Sequence, residues 1–137
     1  LAYTDSVFQR CKTAGIKLII WGSGGSRRLP DGFDKDKAIS QFISIAKKVS
    51  IQAKKYNIVI ALENLNSGET NFINTVELVY DIVRKVEEDN FRVCVDIYHM
   101  LRESEGPMII EKAAKYIVHV DIAEKEGQNA QEGVDRG

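Results

Sequence analysis

Three acidic residues each close a short apolar segment of the sequence: Glu63, Asp96 and Asp121. If these segments are neighbouring parallel strands, their carboxyl ends meet at one edge of the sheet, where α/β proteins bind ligands. Three carboxylates in one small volume repel one another unless one is protonated or a cation is bound. An oxygen-rich set of ligands suits Mn²⁺ or Mg²⁺ better than Zn²⁺ or Co²⁺. The pattern therefore predicts a divalent-metal site, with helix capping as the alternative role for each carboxylate.

Two histidines accompany these carboxylates. His99 follows Asp96 by three residues, and His119 precedes Asp121 by two. Because residues two apart share one face of a strand, we expect His119 to lie beneath Asp121 as an inward-facing side chain, with a role as a metal ligand as the alternative. Glu124, three residues after Asp121, is a further acidic candidate.

The elements that would position these residues alternate along the chain. Strands are predicted near 17–22, 58–63, 91–96 and 117–122, where apolar runs rich in β-branched residues end at glycine or polar residues. Helices are predicted over 3–12, for about five turns from Asp34 or Asp36, over 74–86 and over 107–115. This order predicts a parallel sheet covered by helices, either an open doubly wound sheet or an arc of a (β/α)8 barrel.

Local signals predict where the helices and loops begin and end. Asn74 is the predicted N-cap of the helix after the second strand, and Glu77 stands in capping-box position three residues later. Gly15 is predicted to end the first helix, and Pro107 to open the last one. The glycine-rich stretch 22–32 is predicted to be a loop.

The composition bounds the class of protein. The 137 residues carry 19 basic and 20 acidic side chains, and 44 % of them are apolar. This balance argues against a nucleic-acid partner or a membrane surface. Only Cys11 and Cys94 are cysteines, so we expect a soluble cytoplasmic protein without a disulfide framework. The length is too short for a complete eight-stranded barrel, which needs about 200 residues.

Four segments of the chain resemble the xylose isomerase-like TIM barrels, a superfamily of sugar and sugar-phosphate isomerases and epimerases. Segments 21–34, 61–70, 94–100 and 119–127 are similar to the motifs at the fourth to seventh strands of these barrels. The resemblance implies that 1–137 is a single partial TIM-barrel domain without strands one to three and eight. Because such a part of a barrel has open strand edges, we expect a partner, such as a second copy of the chain, to cover them.

The resemblance also implies roles for individual residues. Glu63, Asp96 and Asp121 would hold the metal, and Glu63 would move a proton between sugar carbons through an enediolate. Glu69 and His99 would contact the sugar, with a solvated loop charge and a backbone contact as the respective alternatives.

Three more residues are candidates for substrate binding. Trp21 would stack on a sugar ring or simply cover the barrel. Arg27 and Arg28 would bind a phosphate or carboxylate group, or form a solvated pair.

Two positions depart from the family pattern. Asp121 stands where the family usually has a histidine ligand, and Gly127 stands where several epimerases have a substrate-contacting arginine. The family's eighth-strand glutamate ligand is not among these residues, so we expect the chain alone to be inactive. Two alternatives stay open: a lyase on the same scaffold, similar to inosose dehydratases, and a non-catalytic carbohydrate-binding or structural fragment.

Overall fold

The computed structural model describes residues 2–123, which contain a four-stranded parallel sheet. The strands are β1 (Leu18–Trp21), β2 (Val59–Glu63), β3 (Phe91–Asp96) and β4 (Ile117–Asp121), and each agrees with its predicted position to within a residue. They pair in chain order, β1-β2-β3-β4, all parallel. A doubly wound sheet would have non-consecutive neighbours, so the consecutive order confirms the arc of a barrel.

Six helices connect and flank the strands in the described part of the chain. They are α1 (Ala2–Thr13), α2 (Gly24–Arg27), α3 (Lys35–Lys54), α4 (Val76–Val86), α5 (Ile97–Arg102) and α6 (Met108–Ala113), and a 3₁₀ turn, Ala114–Tyr116, leads into β4. Because crossovers between parallel strands are right-handed, strands in consecutive order carry their helices on the same face of the sheet. The other face is the one that lines the inside of a barrel. None of the helices within residues 2–123 is both long and apolar enough to cross a bilayer.

The core lies between the sheet and the helices α3 and α4. Valines of α4 recur at helical spacing and are almost completely buried, namely Val76, Val79, Val83 and Val86. They pack with strand residues such as Phe91 and Val93. Burial of each such side chain contributes about 1.5–3 kcal/mol to the stability of the fold. This packed layer therefore holds β2 and β3 in position.

The start of α4 differs from the sequence prediction. Thr75 is the N-cap, and its side chain accepts a hydrogen bond from the backbone N–H of Leu78 at 3.2 Å. The predicted capping box of Asn74 and Glu77 is therefore wrong. Asn74 instead donates to two backbone carbonyl groups of the preceding loop. Glu105 accepts from the first two backbone N–H groups of α4, at 2.8 and 3.0 Å, which is a contact between residues distant in sequence.

Two short helices were also absent from the prediction. α2 has four residues and lies within the stretch 22–32 that was predicted to be a loop. α5 has six residues and starts directly after β3. Both are too short to show a helical period in the sequence, and both lie beside the acidic strand ends.

Candidate active site

Glu63 is the central acidic residue of the described structure. It ends β2, and its half-buried carboxylate lies against the Cα atom of Gly22, in the loop after β1. A Cβ atom at position 22 would overlap Glu63 Oε2. The absence of a side chain at Gly22 is therefore what lets the Glu63 carboxylate occupy this position.

Arg27 joins the ends of β1 and β2. Its guanidinium group donates to the carbonyl oxygen of Glu63 at 2.8 Å and to that of Trp21 at 3.2 Å. Only 5 % of Arg27 is exposed, and this burial lowers its pKa to about 10 against the opposing effect of the Glu63 and Glu69 carboxylates. The alternative of a solvated arginine pair is therefore wrong for Arg27, whereas Arg28 is exposed and donates to the carbonyl oxygen of Glu69. Substrate contact by either arginine stays a prediction.

Asp96 is held beside Glu63 by Asn64, which is fully buried. The Asn64 side chain donates to the carbonyl oxygen of Asp96 at 3.1 Å and accepts from its backbone N–H at 2.9 Å. These two bonds extend the pairing of β2 and β3 by one step. The capping role considered for Asp96 is also present, because its Oδ1 accepts from the backbone N–H of His99 at 2.9 Å and starts α5.

His99 lies above Asp96 and is 6 % exposed. Its Nε2 atom is 3.7 Å from Asp96 Oδ2, and its Nδ1 atom is 2.8 Å from Asn66 Nδ2. Asn66 also lies 3.3 Å from Glu69 Oε1. The loop after β2 thus brings Glu69 close to His99, and half of the Glu69 side chain is exposed.

Asp121 approaches the site from β4. The pairing of β3 with β4 shifts between Val93 and Cys94, and this shift sets Asp121 opposite Asp96. One carboxylate oxygen of Asp121 is 3.1 Å from His119 Nε2, and the other accepts from the Cys94 thiol at 3.6 Å. His119 lies opposite Cys94, one step below Asp121, as predicted. Glu124 and Gly127 lie outside the described residues.

These residues form two groups that share Glu63. The first contains Glu63, Asp96 and His99, the second contains Glu63, Cys94 and Asp121, and within each group the potential ligand atoms lie within 4.8 Å of one another. The structure therefore brings together the three carboxylates that the sequence singled out, those of Glu63, Asp96 and Asp121, which we call the acidic rim. It also adds the buried thiol of Cys94, which the sequence signalled only through its place two residues before Asp96.

The electrostatics of the cluster fit a bound cation. Burial, followed by the Asp96 and Asp121 carboxylates, raises the pKa of Glu63 to about 7, and Arg27 only partly opposes this rise. Burial, followed by the Glu63 and Asp121 carboxylates, raises the pKa of the Cys94 thiol far above its usual range. A divalent cation among these side chains would offset the repulsion that disfavours the ionised form of Glu63.

Trp21 points away from this cluster toward the helices. Its ring packs against Phe42 of α3 and Phe91 of β3, with centroids 5.1 and 6.4 Å apart. These contacts match the barrel-covering alternative, and stacking of Trp21 on a sugar stays a prediction.

The comparisons with known proteins agree with this architecture. The family model for the xylose isomerase-like TIM barrel matches residues 1–137. The chain belongs to this family.

Individual relatives are named as isomerases and epimerases. Inosose isomerase of Bacillus subtilis (strain 168) is 24 % identical over 127 residues, which cover 86 % of this chain and 42 % of the relative. The crystal structure of D-psicose 3-epimerase with D-tagatose, from Clostridium cellulolyticum H10, superposes with a TM-score of 0.77 at 24 % identity, over 87 % of this chain and 42 % of that one. The crystal structure of the IolI protein with a bound zinc atom gives a TM-score of 0.75 at 22 % identity, over 90 % and 44 %. The chain thus spans less than half the length of these proteins, and the superpositions support the fold.

Proposed function

We propose that this chain supplies four strands of the active site of a divalent-metal-dependent isomerase or epimerase that acts on a sugar or sugar phosphate. The observation that carries the proposal is the position of Glu63, whose carboxylate belongs to both groups of potential metal ligands. The names of the related isomerases and epimerases support the class of reaction. Glu63, Asp96 and Asp121 would hold the metal from three neighbouring strands.

The side chains of this chain can perform the proton transfer that such a reaction needs. Glu63, whose carboxylate belongs to both groups of potential ligands, would take a proton from a carbon next to a carbonyl group. The electron pair moves to the carbonyl oxygen and gives an enediolate, and the proton then returns to a sugar carbon. Gly22 and Arg27 fix the position of Glu63, and His99 and Glu69 face the substrate oxygens. When bound, the metal supplies Lewis-acid stabilisation of the negative charge that develops on oxygen.

The identity of the metal is part of the proposal. Three carboxylates favour Mn²⁺ or Mg²⁺, whereas the neighbouring Cys94 thiol is a ligand type that favours zinc. A metal that used only the carboxylates would leave the Cys94 thiol protonated. We therefore expect Mn²⁺ or Mg²⁺ to support turnover, and we expect Cys94→Ser to retain it.

The test is deuterium exchange by the complete protein. Metal-free protein is reconstituted separately with Mn²⁺, Mg²⁺, Zn²⁺ and Co²⁺ and incubated in D₂O with a panel of ketoses, aldoses and their phosphates. We expect proton NMR to show deuterium at the carbon next to the carbonyl of one sugar class, together with its isomer or epimer. Glu63→Gln should lower the rate by about 10²–10⁴-fold, the usual contribution of an acid–base group.

The matched control is Glu111→Gln, at an exposed position of α6. It should exchange like the unmodified protein. Wild-type exchange rates in Glu63→Gln would contradict the proposal, and an unsaturated dehydration product without isomer would indicate the lyase alternative. Since the relatives are more than twice as long, we expect the 137-residue chain by itself to turn over sugar slowly or not at all. A second copy covering its open edges also stays a prediction, to be tested by its oligomeric state.

A further inference from the structure

Asn66 is a buried amide whose orientation is fixed by the backbone of its own loop. It is 3 % exposed, and its Oδ1 atom accepts a hydrogen bond from the backbone N–H of Gly68 at 2.9 Å. A flipped amide would place its NH₂ group against this N–H, which is donor against donor. The NH₂ group must therefore face the other side, where His99 Nδ1 lies at 2.8 Å and Glu69 Oε1 at 3.3 Å.

This orientation decides which nitrogen of His99 carries the proton. An amide NH₂ group only donates, so Nδ1 of the neutral imidazole must accept. The proton then lies on Nε2, the atom that faces Asp96 Oδ2 at 3.7 Å. Moving it to Nδ1 would set two donors against each other in a buried place, which is strongly unfavourable.

We propose that Asn66 is a positioning residue that holds His99 as its Nε2–H tautomer and so makes His99 a hydrogen-bond donor toward the acidic rim, not a metal ligand. His99 belongs to one of the two groups of potential ligands, but an imidazole nitrogen that carries a proton has no lone pair for a metal. The atom that His99 recognises is then an acceptor oxygen, such as a sugar carbonyl or the lone pair of a hydroxyl. Contact with a sugar rests on the proposed function, whereas the tautomer does not.

The side-chain NH₂ group of Asn66 also links His99 to Glu69, because one of its N–H bonds points to His99 and the other to Glu69. Replacing the amide by a carboxylate keeps the size and the bond from Gly68 but removes both donors. In Asn66→Asp, Nδ1 of His99 therefore faces only acceptors, the new carboxylate and Glu69, and the ring proton should move from Nε2 to Nδ1. Asn71→Asp is the matched control, since Asn71 lies in the same loop and its side chain pairs with the backbone of Leu29 instead.

The experiment is ¹⁵N NMR of the histidine rings in the complete, metal-free protein labelled at histidine. The His99 signals are assigned with His99→Gln, and His119 serves as an internal reference. We expect His99 to show a protonated Nε2 and an accepting Nδ1 in the wild type and in Asn71→Asp, and a protonated Nδ1 in Asn66→Asp. A protonated Nδ1 in the wild type, or an unchanged ring in Asn66→Asp, would overturn the proposal.

Two further readouts keep the result independent of variant folding and of the proposed function. In wild-type protein labelled with ¹⁵N at asparagine as well as histidine, a through-hydrogen-bond coupling should connect Asn66 Nδ2 to His99 Nδ1, and its absence would contradict the assignment without any substitution. In an active enzyme, Asn66→Asp should lower kcat/KM by about 10–100-fold, as is usual for residues that orient a site, while Asn71→Asp should not. Failure to find sugar turnover would contradict the proposed function and leave the NMR result unaffected, since neither metal nor sugar is present in that measurement.

Discussion

The two sides of the acidic rim are built very differently. On the side of β2 and β3, Glu63 and Asp96 are held by buried groups, namely the Arg27 guanidinium on the Glu63 carbonyl and the Asn64 amide on the Asp96 backbone. On the side of β4, 46 % of the Asp121 side chain is exposed, and its described partners are His119, whose side chain is 41 % exposed, and the Cys94 thiol. The outward-facing valines of β4, Val118 and Val120, are also 45 % and 44 % exposed.

Glu63 and Asp96 thus form a preorganised part of the site, whereas Asp121 has fewer buried partners among the described residues. A metal ligand whose neighbours are buried and bonded keeps its position before the metal arrives. We therefore expect substitutions around Glu63 and Asp96 to change metal affinity strongly, and substitutions around Asp121 to change it less.

The largest effect on metal binding is expected at Asp96, where two substitutions can separate the role of the charge from the role as helix cap. Asp96→Asn removes the charge but keeps an N-cap of similar strength for α5, whereas Asp96→Ala removes both. Calorimetric titration should show loss of Mn²⁺ binding in both variants. In chelator, thermal melts should find the Asn variant no less stable than the parent, because repulsion of Glu63 is relieved, and the Ala variant less stable by about 0.5–2 kcal/mol. Unchanged Mn²⁺ affinity in Asp96→Asn would leave only the capping role.

A smaller effect is expected from the glycine that accommodates Glu63. Gly22→Ala forces the Glu63 carboxylate to move, because the new methyl group would overlap Oε2. We expect metal affinity to fall about 10–100-fold, as for other supporting residues of metal sites. Gly25→Ala, three residues along, meets nothing within 4 Å and serves as the control in the same titration. Equal metal affinities of the two variants would mean that metal binding does not depend on the position of the Glu63 carboxylate against Gly22.

The sequence was sufficient for the strands and for the choice of acidic residues. Buried strands appear as apolar runs that end at polar residues, so Glu63, Asp96 and Asp121 were visible as strand ends. Consecutive strand order was left open by the pattern alone, which also allowed a doubly wound sheet, and the resemblance of the motifs favoured the barrel.

The supporting contacts could not be predicted because they join residues that are distant in sequence. Arg27 reaches the carbonyl of Glu63, 36 residues away, and Asn64 pairs with Asp96 across 32 residues. Glu105 accepts from the first two backbone N–H groups of α4, in addition to the local cap by Thr75, and this contact also joins residues distant in sequence. The order of residues contains the donors and acceptors, but only the folded loops decide which of them meet.

On the less supported side, Asp121→Asn should weaken Mn²⁺ binding by less than Asp96→Asn does. The carboxylate is partly exposed and lies at the end of a strand whose outward-facing valines are also partly exposed in the described part of the chain, so water can take over one coordination position. The measurement is the same titration with all variants side by side. An Asp121→Asn defect as large as that of Asp96→Asn would show that the two sides of the rim are equally important for the metal.

The smallest effect is expected in the pH dependence of the melting temperature of the metal-free protein. This measurement reports on Glu63 and on the carboxylates that act on it. The pKa of Glu63 rises from 4.5 to about 7 on folding, first through burial and then through Asp96 and Asp121. A group with a higher pKa in the folded state stabilises that state at low pH, and this contribution is lost as the pH rises through the folded value. Glu63 should therefore lower the melting temperature in chelator between about pH 4.5 and 7, and Glu63→Gln should remove this part of the dependence and melt higher than the parent at pH 8. Because Asp96 raises this pKa more than Asp121 does, Asp96→Asn should flatten the profile more than Asp121→Asn. A larger flattening by Asp121→Asn would mean that Glu63 is repelled more strongly by Asp121 than by Asp96, which would contradict the difference between the two sides of the acidic rim.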